Sequence, residues 1–237
     1  MLALTDLGET GRMLLEIPAV LTREELAHIN GRLAALQFVD GAATAGDQAV
    51  AAKRNLELPP TPEWQELSQI VAGALMRCSS FVQATLPRRL MNPMFNRYDV
   101  GMEYGSHTDI SIMDIGHPTM ATRTDISMTV FLGEPDSYDG GELVIATPAG
   151  ENRVKPPAGS AVVYPSGNLH WVEKVTRGAR VAAVSWAQSY VRNAEYRTIL
   201  FELDSATEMA RANDDSGEQA DMMLSLYHKL LRLWSDT

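Results

Sequence analysis

The sequence predicts an α+β fold in which short β-strands form a sandwich or barrel and helices flank it at both chain ends. Three observations carry this. From about Met91, β-rich runs alternate with Gly, Pro, Asn and Asp turn signals. Before that region and again near the C-terminus, apolar residues recur at helical spacing. The chain has 237 residues, 45 % of them hydrophobic, enough to bury one large core with helical additions.

The elements follow in order. Met13 to Ile17 reads as a strand ending at Pro18. Thr22 opens a helix, because Thr22-Arg23-Glu24-Glu25 has the reciprocal capping pattern of a hydroxyl and a carboxylate three residues apart. Leu26, Ile29, Leu33 and Leu36 give it an apolar face. Gly41 to Gly46, rich in Gly, Ala and Thr, reads as a loop, either a plain connector or a lid. Pro59-Pro60-Thr61-Pro62 is a second break, with Thr61 as cap and Pro62 at the first helical position, where no amide hydrogen is needed. The helix behind it carries Trp64, Leu67, Ile70, Val71 and Leu75.

In the β region, Thr129 to Leu132 is a strand and Asp139-Gly140-Gly141 a turn. Glu142 to Ala146 and Asn152 to Lys155 flank Thr147-Pro148-Ala149-Gly150 as a hairpin. Ser160 to Tyr164 is a nearly all-apolar strand. Turns at Pro156–Gly159 and Pro165–Asn168 bracket it, and His170 to Val175 and Arg180 to Val191 close the region. Glu195 to Leu203 reads as a short helix and Ala212 to Gly217 as a polar loop. Glu218 to Trp234 is a helix with Met222, Leu226, Leu230 and Leu233 on one stripe and Tyr227, Leu231 and Trp234 beside it. That face is expected to cover the domain's own sheet, and a homodimer contact is compatible with it. The expected organisation is an N-terminal strand and helices over 1–90, a β core over 91–192 and a helical extension over 193–237.

The net charge of −10 and pI near 5.0 disfavour nucleic acid and anionic membranes as partners. Cys78 is the only cysteine, so no intrachain disulfide forms. With no basic, cleavable leader at the N-terminus and no apolar run long enough to span a bilayer, a cytoplasmic location is expected.

The chemistry concentrates at His107-Thr108-Asp109. Strand alternation puts positions i and i+2 on one face, so the imidazole and carboxylate converge on one ion. His170, at the head of a distant strand, completes a facial triad that leaves the opposite side of a metal open. Two imidazoles and a carboxylate suit Fe(II), Mn(II), Co(II) or Zn(II). The lack of cysteine ligands argues against a closed structural zinc site. His28 and His228 fall in predicted helices and His117 in a loop, and all three read as bystanders.

Around the triad stand Arg97-Tyr98-Asp99-Val100-Gly101-Met102-Glu103-Tyr104-Gly105-Ser106, then Arg123-Thr124-Asp125 and Asp139-Gly140-Gly141-Glu142-Leu143. Pro157-Ala158-Gly159-Ser160, Tyr164-Pro165-Ser166, Leu169-His170 and Thr176-Arg177-Gly178-Ala179-Arg180-Val181 follow. From about Phe38 to Trp234 this ordered set resembles the prolyl-hydroxylase-like Fe(II)/2-oxoglutarate oxygenases, and among them the bacterial PKHD-type hydroxylases. The resemblance implies a double-stranded β-helix (jelly-roll, cupin-like) core. It implies hydroxylation of an unactivated C–H bond with release of succinate and CO2, and ascorbate keeping the iron reduced.

The resemblance also assigns co-substrate residues. Arg180 stands ten residues after the distal histidine, where the family holds the far carboxylate of 2-oxoglutarate. An arginine fork matches a carboxylate. Tyr98 matches a family tyrosine that shares that carboxylate; its bland reading is a core aromatic with a polar tip. Arg177 is expected to be a solvated decoy, and Trp171 and Trp186 are expected to be wall or packing residues. Lys53 and Asn55 resemble a stretch near the entrance, with a solvated surface strand as the equal alternative.

The substrate is left open between a small molecule and a peptidyl group. A second class of function is a non-catalytic metal- or oxo-acid-binding sensor on the same fold. A third, a hydrolase or isomerase on a cupin-like barrel, needs no dicarboxylate clamp.

Overall fold

The computed structural model describes residues 14–41, 52–114, 121–213 and 216–236. Near the N-terminus, β1 (Leu15–Ile17) leads to α1 (Arg23–Ala34). The Glu25 amide donates to the Thr22 hydroxyl, and the Thr22 amide donates to the Glu25 carboxylate, so the cap forms as expected. Short strands β2 (Val39–Asp40), β3 (Lys53–Arg54) and β4 (Leu56–Glu57) follow. Next come α2 (Pro62–Arg77), capped by Thr61, and α3 (Ser79–Thr85).

The remaining strands are β5 (Pro87–Leu90), β6 (Met94–Tyr98), β7 (Glu103–His107), β8 (Ile112–Met113), β9 (Thr122–Arg123) and β10 (Ile126–Phe131). They continue with β11 (Leu143–Thr147), β12 (Gly150–Val154), β13 (Ala161–Pro165), β14 (His170–Val172) and β15 (Arg180–Ser189). The helices α4 (Ala194–Asn213) and α5 (Glu218–Trp234) end the chain.

The strands make two main sheets. One has eight strands in the order β1-β13-β10-β15-β6-β4-β2, with β5 also paired to β15; the other has five, β12-β11-β14-β7-β3. Neither closes on itself, so a pair of open sheets stands where a closed barrel was one expectation. The α+β class with flanking helices is as predicted.

Period-two alternation gives the larger sheet two buried faces. Phe95, Ile126, Met128, Val130, Ala161, Val163, Ala183 and Ala187 pack outward with Leu67, Val71 and Phe81 of the helices. Tyr98, Phe131, Val162 and Tyr164 point inward and pack with Leu143, Ile145 and Val172 of the smaller sheet. The apolar run Ser160 to Tyr164 is therefore a strand covered on both sides. The predicted hairpin forms, β11 against β12, with Thr147 paired to Gly150. In the Asp139-Gly140-Gly141 turn, Gly140 has φ +69°, and a Cβ there would sit 2.0 Å from the Lys174 carbonyl oxygen. Only glycine meets both conditions.

Three expectations need correction. The helix read as Glu195 to Leu203 runs over Ala194–Asn213, because Ser205 to Asn213 contains no Gly or Pro to stop it. The stripe Met222, Leu226 and Leu233 does not cover a sheet; these side chains are exposed, and α5 packs on α4 through the other face, where Trp234 stacks on Tyr196. The solvated strand considered for Lys53 and Asn55 is also wrong, since both residues are buried. Met13, most of the Gly41–Gly46 loop and His117 lie outside the described residues.

Candidate metal centre

His107 ends β7 and His170 begins β14, and the two residues are direct partners across the antiparallel pair. Cross-strand partners sit within about 5.5 Å, so a site on facing strand ends follows from the register. Their rings lie 4.3 Å apart between centroids. Asp109 stands beyond the end of β7, so the chain following the strand, and not strand alternation alone, brings it in. One ligand atom from each of His107, Asp109 and His170 lies within 4.8 Å of the others. Asp109 Oδ2 is 3.7 Å from His170 Nε2.

Both imidazoles are oriented by their own backbone. His107 Nδ1 lies 2.8 Å from the Gly105 carbonyl oxygen, and His170 Nδ1 lies 3.0 Å from that of Asn168. A carbonyl only accepts, so each Nδ1 carries a proton, and Nε2 is the ring nitrogen left to face a metal. Tyr104 stacks on the His107 ring at 3.7 Å, and Tyr164 meets the His170 ring edge-on at 5.1 Å. Burial, helped by the His170 charge, lowers the His107 pKa to about 4, so the ring is neutral at physiological pH.

Sequence reasoning missed the residues that hold Asp109. Ser127 Oγ donates to Asp109 Oδ2 at 2.5 Å and also lies 2.8 Å from Ser166 Oγ. The Ser127 proton is committed to the carboxylate, so Ser166 donates to Ser127. The available signal was alternation: Ser127 and Thr129 interrupt an otherwise apolar strand at every second position, the mark of a polar inner face.

Arg180 heads β15 opposite Tyr98 on β6. It is 1 % exposed, yet among the described residues no carboxylate pairs with it and its Nε has no hydrogen-bond partner. Its guanidinium lies 5.3 Å from the Tyr98 ring centroid and 5.2 Å from that of Phe131. Burial pushes the Tyr98 pKa up to about 12, so its hydroxyl stays a donor. Tyr164 connects the two ends: it touches His170 and belongs to the same inner cluster as Tyr98 and Phe131. Arg177 is occupied elsewhere, bonded twice to the exposed Asp139 carboxylate, as its reading as a decoy expected.

The remaining candidates fall into place around this interior. Trp186 pairs in register with Ser127, beside the triad, and Trp171 donates to Glu173. Lys53 donates to Glu57 at 2.5 Å in a buried ion pair, and its ammonium lies 5.7 Å from the Tyr104 ring. Asn55 is buried beside the Tyr98 hydroxyl, and among the described residues neither of its side-chain polar atoms makes a well-formed hydrogen bond. His28 pairs with Glu66 on the helical surface and His228 is exposed on α5, both away from the triad.

The donor set fits divalent iron: two imidazoles, one carboxylate and no thiolate. The buried Arg180, with no carboxylate beside it among the described residues, fits a dicarboxylate.

Comparison with known proteins agrees with the geometry. Residues 93–188 match the 2OG-Fe(II) oxygenase superfamily, and residues 195–236 match the PKHD-type hydroxylase C-terminal domain. A PKHD-type hydroxylase of Janthinobacterium sp. (strain Marseille) is 46 % identical over 94 % of this chain and 99 % of its own. One from Cupriavidus metallidurans is 46 % identical over 94 % of this chain and 100 % of its own. Among solved structures, a Trichoplax adhaerens prolyl hydroxylase in complex with a hypoxia inducible factor peptide has a TM-score of 0.54 at 15 % identity, covering 79 % of this chain and 86 % of that one. The viral collagen prolyl hydroxylase of Paramecium Bursaria Chlorella virus-1 gives 0.52 at 16 %, covering 74 % and 96 %. These distant structures share the fold.

Proposed function

The chain belongs to the PKHD-type hydroxylases, Fe(II)- and 2-oxoglutarate-dependent dioxygenases, and we propose that His107, Asp109 and His170 hold the iron while Arg180 and Tyr98 hold 2-oxoglutarate. The observation that carries this reading is the pairing of a two-histidine, one-carboxylate cluster with a buried arginine that lacks a counter-ion among the described residues. When bound, iron and 2-oxoglutarate together supply the oxidising power that hydroxylates an unactivated C–H bond, with release of succinate and CO2.

The chain's own residues do the positioning. Gly105 and Asn168 carbonyls aim the two Nε2 lone pairs inward, and Ser127 fixes the rotation of the Asp109 carboxylate. Three protein ligands leave the rest of the metal's coordination sphere to co-substrate and oxidant. Arg180 offers a fork to the far carboxylate of 2-oxoglutarate, and the protonated Tyr98 hydroxyl offers a further donor. Phe131 and Tyr164 line the interior between the two ends and shield it from water.

The two opposed sheets, with β10, β13 and β15 in one and β11, β12 and β14 in the other, support a double-stranded β-helix (jelly-roll) winding for the core over 91–192. The segments 1–90 and 193–237 are then additions to it. The prime substrate in this reading is a small molecule or a peptidyl group; the acidic chain is a poor match for nucleic acid. Ascorbate serves to keep the iron reduced. Among the described residues no helix is long and apolar enough to cross a membrane. The single cysteine fits a cytoplasmic location.

Succinate release tests the assignment. Purified protein with Fe(II) and 2-oxoglutarate should release succinate slowly even without prime substrate. His107→Ala should abolish this while the far-UV spectrum is kept. Continued turnover by protein freed of metal with chelator would exclude the triad as the metal site.

A further inference from the structure

We infer that Thr124 is a positioning residue for the proposed ligand Asp109, holding the segment on which that carboxylate rides. The role rests on the triad being the metal site. It engages Arg123-Thr124-Asp125, a motif that neither the triad nor the co-substrate clamp uses. Asp109 stands on a stretch outside the sheets. β7 ends at His107, β8 begins at Ile112, and residues 108–111 belong to no strand. Thr108, Ile110 and Ser111 are exposed, so burial of their side chains does little to fix the backbone. A segment of this kind opens locally unless hydrogen bonds tie it down.

Two bonds from Thr124 tie it. The Thr124 hydroxyl donates to the Ile110 carbonyl oxygen at 2.5 Å, and the Thr124 amide donates to that of Ser111 at 3.0 Å. Ile110 and Ser111 are the first two residues after Asp109, so the backbone is caught where it leaves the ligand. Strand pairing takes over beyond them, with Ile112 opposite Arg123 and Met113 opposite Thr122. Thr124 is buried, so its hydroxyl exchanges water for this one acceptor. A valine has nearly the same shape and would bury as well; what threonine adds is the donor.

A tether fixes a position only where its own anchor is fixed, and Asp125 supplies that anchor. Its carboxylate accepts from Arg123 Nε at 2.6 Å, from Arg123 Nη2 at 2.9 Å and from the Ser189 amide at 2.9 Å. Its own amide donates to the Ala187 carbonyl oxygen, and its carbonyl oxygen accepts from the Ser166 amide. Arg197, near the start of α4, brings a further buried cation to the same carboxylate. Asp125 therefore joins Thr124 both to the larger sheet and to the C-terminal helices. Two side chains of one stretch then divide the work on Asp109. Ser127 sets the rotation of the carboxylate, and Thr124 sets the place of the backbone that carries it.

Titration of the metal-free full chain with Co(II), followed by its visible absorption, tests this without turnover. Wild-type protein should bind Co(II), and His107→Ala should lose it. Thr124→Val keeps the amide bond to Ser111 and removes only the hydroxyl bond; it should weaken Co(II) binding by about 10-fold and alter the absorption bands. Thr124→Ser keeps the donor and should bind as wild type does. Thr124→Ala removes the donor in a smaller side chain and should behave like Thr124→Val, so the test survives a valine variant that does not fold. Thr207→Val is the control for a merely structural loss, since it removes a buried hydroxyl bond to the Leu203 carbonyl within α4; it should leave Co(II) affinity unchanged. Should Thr124→Val and Thr124→Ala bind as tightly as wild type with the same spectrum, the inference falls while the triad stands. A serine variant as weak as the valine one would overturn it too. Co(II) binding that survives His107→Ala would overturn the triad reading, and the role of Thr124 with it.

Discussion

Arg180→Met separates a residue kept for a ligand from one kept for the fold. A buried guanidinium without a carboxylate carries a desolvation penalty of several kcal/mol. The Tyr98 and Phe131 rings, 5.3 and 5.2 Å from the guanidinium carbon, offset part of it. A desolvated cation–π contact contributes roughly 2 kcal/mol. Methionine fills a similar volume without the charge, so the metal-free, co-substrate-free protein should be unchanged or more stable by ~1–4 kcal/mol. Binding of 2-oxoglutarate should move the other way. Losing a charged partner in a desolvated cleft costs ~2–5 kcal/mol, or about thirty- to several-thousand-fold in affinity. Thermal melts and calorimetric titration under anaerobic conditions read both numbers. With wild-type protein, co-substrate at about 100 times its Kd should add ~2.7 kcal/mol of stability, and at the same concentration the variant should gain less than about 1 kcal/mol. Arg177→Ala should change neither measurement, because Arg177 is bound to Asp139 at the surface. A variant that is strongly destabilised, or that binds 2-oxoglutarate as wild type does, would refute the reasoning.

Two further outcomes follow from the groups around the triad. Ser127→Ala strips Asp109 of its hydroxyl donor and should weaken divalent-metal binding by roughly 10- to 100-fold while leaving the fold intact; unchanged affinity in a metal titration would show that the carboxylate is held without it. The His107 pKa is depressed from 6.5 to about 4, so the unfolded chain takes up a proton below 6.5 that the folded chain refuses. Stability of the metal-free protein should therefore fall as the pH drops from about 6.5 to about 4, and His107→Asn should flatten that part of a urea-denaturation pH profile.

The elements most legible in the sequence were those specified by local chemistry. Thr22 and Thr61 mark helix starts because a hydroxyl must meet an orphan amide, and both do. Gly140 marks a turn because no side chain fits against the Lys174 carbonyl. Periodicity identified α5 as a helix but assigned its faces wrongly. Two apolar stripes run along it, and a helical repeat does not say which one meets the fold. That choice depends on where α4 ends, and Ala194–Asn213 proved longer than its apolar pattern suggested. Buried polar residues were hardest to read. Lys53 and Glu57 resemble a solvated pair in sequence, and only the crossing of their segment from the smaller sheet to the larger one puts both inside.

The site follows the same division. His107, Asp109 and His170 could be named because the chemistry of a metal restricts the residue types that hold it. Their convergence, however, has a different origin from the one expected. Strand alternation was invoked to bring His107 and Asp109 together, yet β7 stops at His107. What aligns the triad is the register between β7 and β14, which sets the two histidines face to face, together with Ser127 reaching from the opposite sheet to draw the carboxylate in. The centre therefore spans both sheets. Arg180 and Tyr98, paired across the larger sheet, and His107 and His170, paired across the smaller one, approach each other only because the sheets are packed face to face. A substitution that loosens that packing, at Phe131 or Tyr164, should separate the proposed clamp from the metal site without touching either, so 2-oxoglutarate affinity should fall while divalent-metal affinity is kept.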